Sequence, residues 1–177
     1  MNQVTIRDKT FSIAISSEQI QKRVGEIGKQ IDEDFKGKVP VFISILNGAV
    51  LFFADLLKHI SIECEISFVR VSSYNGTQSS GIVKSTLGLN ENLEGRSVVI
   101  VEDIVDSGNT MMHIYNDLKK QGVSEIKIVT LLFKPDALKH DIKLDYVGFE
   151  VPADFVVGYG LDYDGLGRNL NDIYKIV

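Results

Sequence analysis

Val98-Val-Ile-Val-Glu-Asp-Ile-Val-Asp-Ser-Gly-Asn-Thr110 is the stretch on which the fold turns. Its first part, Ser97–Val101, is a short continuous apolar run, the pattern of a strand covered on both faces. It leads straight into two carboxylates, Glu102 and Asp103, and then into Asp106-Ser-Gly-Asn-Thr110, which opens a helix. The spacing predicts that helix over Met111–Gln121, with Met111, Ile114 and Leu118 on one face and Gly122 as its stop. A further strand is predicted over Glu125–Phe133. Strand, loop, helix and strand at this spacing make a βαβ unit, so the expected fold class is α/β, a parallel-sheet core flanked by helices. Ligands of such sheets sit at the carboxyl ends of the strands. That places the site among residues 46–48, 72–74, 102–110 and 134.

The same grammar extends upstream. Ile20, Val24, Ile27, Ile31 and Phe35 recur at helical spacing, which predicts a helix over Ser17–Lys36. Ser16 with Gln19 resembles a capping box, and Gly37 is a natural stop. Val41–Leu46 is another apolar run of strand length, Asn47-Gly48 a turn, and a helix follows to about Lys58. Glu63–Val71 alternates like a second strand. The stretch 72–88 contains Ser-Ser-Tyr-Asn-Gly-Thr-Gln-Ser-Ser-Gly and reads as a long loop. Such a loop is either a functional lid or a solvated connection.

A chain of 177 residues suits one domain with a substantial core, and 44% apolar content is ordinary for a globular protein. The net charge of −5 argues against general affinity for nucleic acid. One cysteine, Cys64, allows no intrachain disulfide, and a reducing compartment suits the chain. Met1–Thr10 lacks the apolar stretch of a signal peptide, and no window approaches the ~18 apolar residues of a membrane span. A cytoplasmic protein without membrane contact is the expectation.

The helix start at Asp106–Thr110 offers unpaired backbone N–H groups and roughly half a positive charge, which together make an anion site. Gly108 lets the backbone come close, and the Ser107 and Thr110 hydroxyls can donate to phosphate oxygens. Glu102 and Asp103 would then face another part of the ligand, accepting from ribose hydroxyls or holding a hydrated Mg²⁺. Asp106 can act as a general base. Taken alone, Asp106 is an ordinary helix cap and Glu102-Asp103 the end of a strand. The string is neither a Walker A sequence nor Gly-x-Gly-x-x-Gly, so ATP hydrolysis and dinucleotide binding lack support. His59, His113 and His140 have no partner at metal-ligand spacing and read as surface or packing residues.

Val101-Glu-Asp-Ile-Val-Asp-Ser-Gly-Asn-Thr110 resembles the phosphoribosyl-pyrophosphate signature of the type I phosphoribosyltransferases, in particular their hypoxanthine–guanine branch. The likeness continues through Leu131-Leu-Phe-Lys-Pro135, Phe155-Val-Val-Gly-Tyr-Gly-Leu-Asp-Tyr163 and Arg168-Asn-Leu170. It implies a Mg²⁺-dependent purine-salvage enzyme that replaces the pyrophosphate of phosphoribosyl pyrophosphate by a 6-oxopurine, giving IMP and GMP. On this likeness Ser107, Gly108, Asn109 and Thr110 bind the 5′-phosphate. Glu102 and Asp103 hold the ribose hydroxyls and one metal, and Asp106 takes the proton from purine N7. Lys134 reads the 6-oxo group, Phe155 stacks on the base, and Val156 meets the base edge through its backbone. Asp162 binds a second Mg²⁺ through water, and Arg168 meets the pyrophosphate. Asn47-Gly48 stands at the pyrophosphate turn, where the family often has a cation, so Asn47 leaves only backbone contacts there. Ser73 and Tyr74 match the start of a lid. A hood from roughly 1–16 and 145–177 and a homodimer or homotetramer are implied as well. Two rivals stand beside this reading: a xanthine-preferring transferase, and a nucleotide-sensing regulator on the same fold. The acidic total and the lack of a Lys/Arg-rich stretch count against the regulator.

Overall fold

The computed structural model describes residues 3–72, 84–87 and 92–177. Two sheets form, and the larger explains the site. It contains β3 (Val41–Leu46), β4 (Glu65–Ser72), β5 (Lys84–Leu87), β6 (Ser97–Val105), β7 (Glu125–Phe133) and β8 (Tyr146–Glu150), in the order β5-β4-β3-β6-β7-β8. Every pairing is parallel except β4 with the edge strand β5.

Helices cover both faces, which is why the central strands read as unbroken apolar runs. Along β6, Val99 and Val101 join the cluster under α1 (Ser17–Asp34) and α2 (Val50–Leu57). Val98 and Ile100 point the other way, to Met111, Ile114 and Leu118 of α3 (Asn109–Lys120). Ile20, Val24, Ile27 and Ile31 of α1 are fully buried. Each such side chain is worth about 1.5–3 kcal/mol of burial. The helix begins in a complete capping box: Ser16 N donates to Gln19 Oε1 at 2.9 Å and Gln19 N to Ser16 Oγ at 3.3 Å.

A smaller antiparallel sheet joins the two ends of the chain: β1 (Gln3–Ile6), β2 (Lys9–Ile15), β10 (Ile173–Ile176) and β9 (Val156–Val157), in that order. Ile6, Phe11, Val157 and Tyr174 give it a core of its own. Ile15, Val156 and Ile173 pack into the main cluster, and the Asp172 carboxylate accepts from Ser17 N at 2.6 Å. No described helix is long and apolar enough to cross a membrane.

Apart from shifts of one or two residues at element ends, three assignments differ from the sequence reading. The strand expected to end at Val101 runs to Val105, because β7 lies parallel beside it and pairs with Glu102, Ile104 and Val105. Lys84–Leu87, assigned to the 72–88 loop, form β5 and cover the outer edge of β4. Residues 146–150, assigned to the hood, pair with β7 in the core sheet, where Tyr146 is buried. The second sheet therefore takes from the C-terminal part only residues 156–157 and 173–176.

Candidate active site

A cleft of about 370 Å³ opens at the carboxyl ends of β3 and β6, lined by residues 102–111, Gly48, Asp162 and Arg168. Its floor is the strand-to-helix passage. Gly108 adopts a left-handed backbone (φ 79°), and α3 starts at the next residue. A side chain at 108 would be strained and would come within 3.0–3.3 Å of Leu138 and Ile142. Gly108 itself supplies no side-chain cap to α3, and among the described residues the one side chain on the first amides is Ser107, whose Oγ accepts from Asn109 N at a long 3.4 Å; a helix start so lightly capped can take an anion.

The carboxylates differ in setting. Glu102 is 7% exposed and accepts from Asp103 N at 3.1 Å. Burial first, then the adjacent Asp103 charge, push its carboxyl well above the ordinary range. Asp103 is half-buried and accepts from Ile104 N at 2.8 Å. Asp106 is the exposed member, and its Oδ2 lies 3.5 Å from Nζ of the buried Lys134. Lys134 is held by its own backbone, which donates to Val105 O at 3.0 Å, so the end of β7 aims the cation at the mouth of the loop.

The opposite wall comes from the turn after β3 and from residues 158–168. The Leu46–Asn47 peptide is cis and Asn47 is exposed. A side chain at Gly48 would have to displace the Asp103 carboxylate, since a Cβ there would stand 1.6 Å from Asp103 Oδ2. Arg168 reaches in, pairing through Nη2 with Asp162 Oδ1 at 2.5 Å and donating through Nη1 to Gly160 O at 2.6 Å. Asp162 Oδ2 accepts from Gly165 N at 2.7 Å. Phe155 and Val156 stand outside the cleft lining. The Phe155 ring is 43% exposed and meets Tyr163 edge-on at 5.8 Å, and Val156 is buried in β9. Ser73 and Tyr74 lie outside the described residues.

Among the described residues no group of three or more His, Cys, Asp or Glu side chains forms a protein-only metal site. Mg²⁺ usually keeps several waters and uses one or two carboxylates together with substrate phosphates.

Some of the site was not anticipated. Ile104 and Met111 line the cleft. His140, read as a surface or packing residue, bonds Asn109 Oδ1 through Nε2 at 2.6 Å and braces the start of α3. Tyr159, Asp55 and Gln21 meet behind the Arg168 segment. None of these contacts has a local sequence signal, because their partners lie 31 to 138 residues apart.

The phosphoribosyl transferase domain family matches residues 16–164. The hypoxanthine-guanine phosphoribosyltransferase of Bacillus subtilis is 49% identical over 159 residues, covering 89% of this chain and 88% of that protein. Among solved structures, a hypoxanthine phosphoribosyltransferase from Staphylococcus aureus aligns with a TM-score of 0.89 at 41% identity, covering 94% of this chain and 91% of the other. A hypoxanthine-guanine phosphoribosyltransferase from Bacillus anthracis, with a HEPES molecule in its active site, aligns with a TM-score of 0.87 at 39% identity, covering 94% and 96%. The matched span takes in the whole passage from β6 to α3, and the solved relatives reproduce the sheet that presents it: this chain belongs to the phosphoribosyltransferase family.

Proposed function

We propose that this chain transfers the 5-phosphoribosyl group of phosphoribosyl pyrophosphate to N9 of hypoxanthine, and of guanine, releasing IMP or GMP and pyrophosphate. The observation that carries the reading is the Lys134–Asp106 pair, 3.5 Å apart at the mouth of the anion-binding helix start. A purine beside it would present its 6-oxo group to the ammonium and its N7 proton to the carboxylate. An adenine 6-amino group would instead set donors against donors, giving the buried lysine nothing to donate to on the base.

The other roles follow from position. The amides and hydroxyls of Ser107–Thr110 hold the 5′-phosphate. Glu102 and Asp103 accept from the ribose hydroxyls, which relieves the crowding of negative charge at Glu102. Phe155 keeps an open ring surface for stacking, and the backbone of Val156 serves the base edge. Gly48, by its backbone, and Arg168 receive the pyrophosphate, while the exposed Asn47 adds no cation. Ser73 and Tyr74 are proposed as lid residues. Asp103, with Glu102, and Asp162 through water would hold Mg²⁺, which when bound neutralises charge on the leaving group. We also assign the chain to the cytoplasm and to a homodimer or homotetramer. Val50, Ile66 and Phe68 are exposed on α2 and β4, an apolar face that a second copy would cover.

Initial rates with phosphoribosyl pyrophosphate, Mg²⁺ and each of hypoxanthine, guanine, xanthine and adenine test the reading. Hypoxanthine and guanine are expected to turn over, and chelation of the metal to stop both. Adenine as the preferred base would overturn the assignment, and xanthine as the preferred base would favour the rival transferase.

A further inference from the structure

Arg168 enters the cleft from a segment with little regular structure of its own. Residues 158–170 fold back on themselves through backbone bonds: Gly158 N to Leu161 O at 3.0 Å, Tyr159 N to Leu170 O at 2.8 Å and Gly160 N to Arg168 O at 2.9 Å. Because Arg168 Nη1 donates to the Gly160 carbonyl, the guanidinium sits where Gly160 puts it. Gly160 in turn rests on the turn after β3, where a Cβ at 160 would come within 2.0 Å of Gly48 O.

Tyr159 lies in the middle of this arrangement. It is 4% exposed and has a positive φ of 48°, a conformation that a non-glycine residue keeps only when its surroundings hold it. Its hydroxyl donates to Asp55 Oδ2 at 2.7 Å. Asp55 belongs to α2, the helix that starts just after Asn47-Gly48. Gln21 of α1 donates to the same oxygen at 2.6 Å, and Lys58 donates to the other at 2.7 Å. Burial would raise the Asp55 carboxyl, but these three donors hold it below its ordinary value. One carboxylate thus ties two core helices to the segment that carries Arg168.

We infer that the Tyr159–Asp55 hydrogen bond is a positioning device that sets Arg168 against the 47–48 turn, the two groups assigned to pyrophosphate. This rests on the function proposed above. Tyr159 touches no substrate; it acts through Gly160 and Arg168. Asp55 keeps Gln21 and Lys58 when the tyrosine hydroxyl is removed, so the fold survives Tyr159→Phe while the anchor is lost.

The test is steady-state kinetics in both directions on Tyr159→Phe, with thermal melting alongside. The KM values for phosphoribosyl pyrophosphate and for pyrophosphate should rise about tenfold, the scale of one lost charge-assisted hydrogen bond. The KM for hypoxanthine and the kcat should stay within about twofold, inside the range of changes at uninvolved sites. Asp55→Asn, which keeps an oxygen acceptor for the Tyr159 hydroxyl, should show little of the loss, and Asp55→Ala should reproduce it if Tyr159→Phe does not fold. Unchanged KM values for the two pyrophosphate-bearing substrates, or an equal rise for hypoxanthine, would overturn the inference in an active wild type. A wild type that does not turn over these substrates overturns the function and the positioning role with it.

Discussion

The two walls of the cleft are built on opposite plans. The wall at residues 102–110 is one unbroken stretch, a strand passing into a helix, its backbone held by the ladder to β7 and by α3. The wall at residues 158–168 is turn upon turn, with positive φ at Gly158, Tyr159, Gly160, Asp164, Gly165 and Gly167. It is held by side-chain ties from elsewhere, Asp55 to Tyr159 and Asp8 to the Tyr163 hydroxyl at 2.8 Å, and by its own Asp162–Arg168 pair. A rigid wall suits the groups that do chemistry, since small misplacement there is costly. A tied wall suits groups that recognise and release, because its position is adjustable through a few contacts.

The comparison predicts that damage to the first wall appears in kcat and damage to the second in KM. The largest effect is expected from Asp106→Ala. Initial rates should show kcat lower by about 10²–10⁴-fold, the usual contribution of a general base, with binding of phosphoribosyl pyrophosphate largely kept by titration calorimetry. Full turnover in this variant would break the comparison. Gly48→Ala lies on the seam, its Cβ aimed at Asp103 Oδ2 at 1.6 Å. Displacement of the Asp103 carboxylate should cost about 10² in kcat/KM, with both parameters affected. Lys134→Met keeps the length of the buried side chain and removes the charge. The hypoxanthine KM should rise about 10-fold or more, as for loss of a hydrogen bond from a charged group, and discrimination against adenine should weaken. Phe155→Ala, at the entry to the second wall, should raise the KM of every purine by about fivefold or more through lost stacking, with kcat and base preference little changed. A collapse of kcat in Phe155→Ala would show that the second wall also carries chemistry.

Much of the first wall was legible along the chain. Val41–Leu46 and Glu125–Phe133 form strands with the bounds read from their apolar runs. Gly122 ends α3 as expected, with φ 76°. Where the reading stopped short, the missing information was a neighbour. Glu102–Val105 looks like a polar loop, yet it is strand because β7 runs beside it. Lys84–Leu87 carries no strand pattern of its own and is ordered by the open edge of β4. The Asn47 side chain points to solvent, so its departure from the family pattern leaves a backbone turn whose packing rests on Gly48.

The residues at the strand-to-helix passage determined, by themselves, that this chain has a parallel sheet with carboxylates and a helix start at its carboxyl edge. Periodicity, carboxylates and a helix start are local properties, and neighbours in sequence stay neighbours in space. Only the tertiary structure decided which distant groups face that site. The Lys134–Asp106 distance, the seating of Gly160 on Gly48 and the Tyr159–Asp55 bond each join residues far apart along the chain. Such contacts form when burial of the shared core outweighs the entropy of closing the long loops between them, and no short window of sequence encodes that balance.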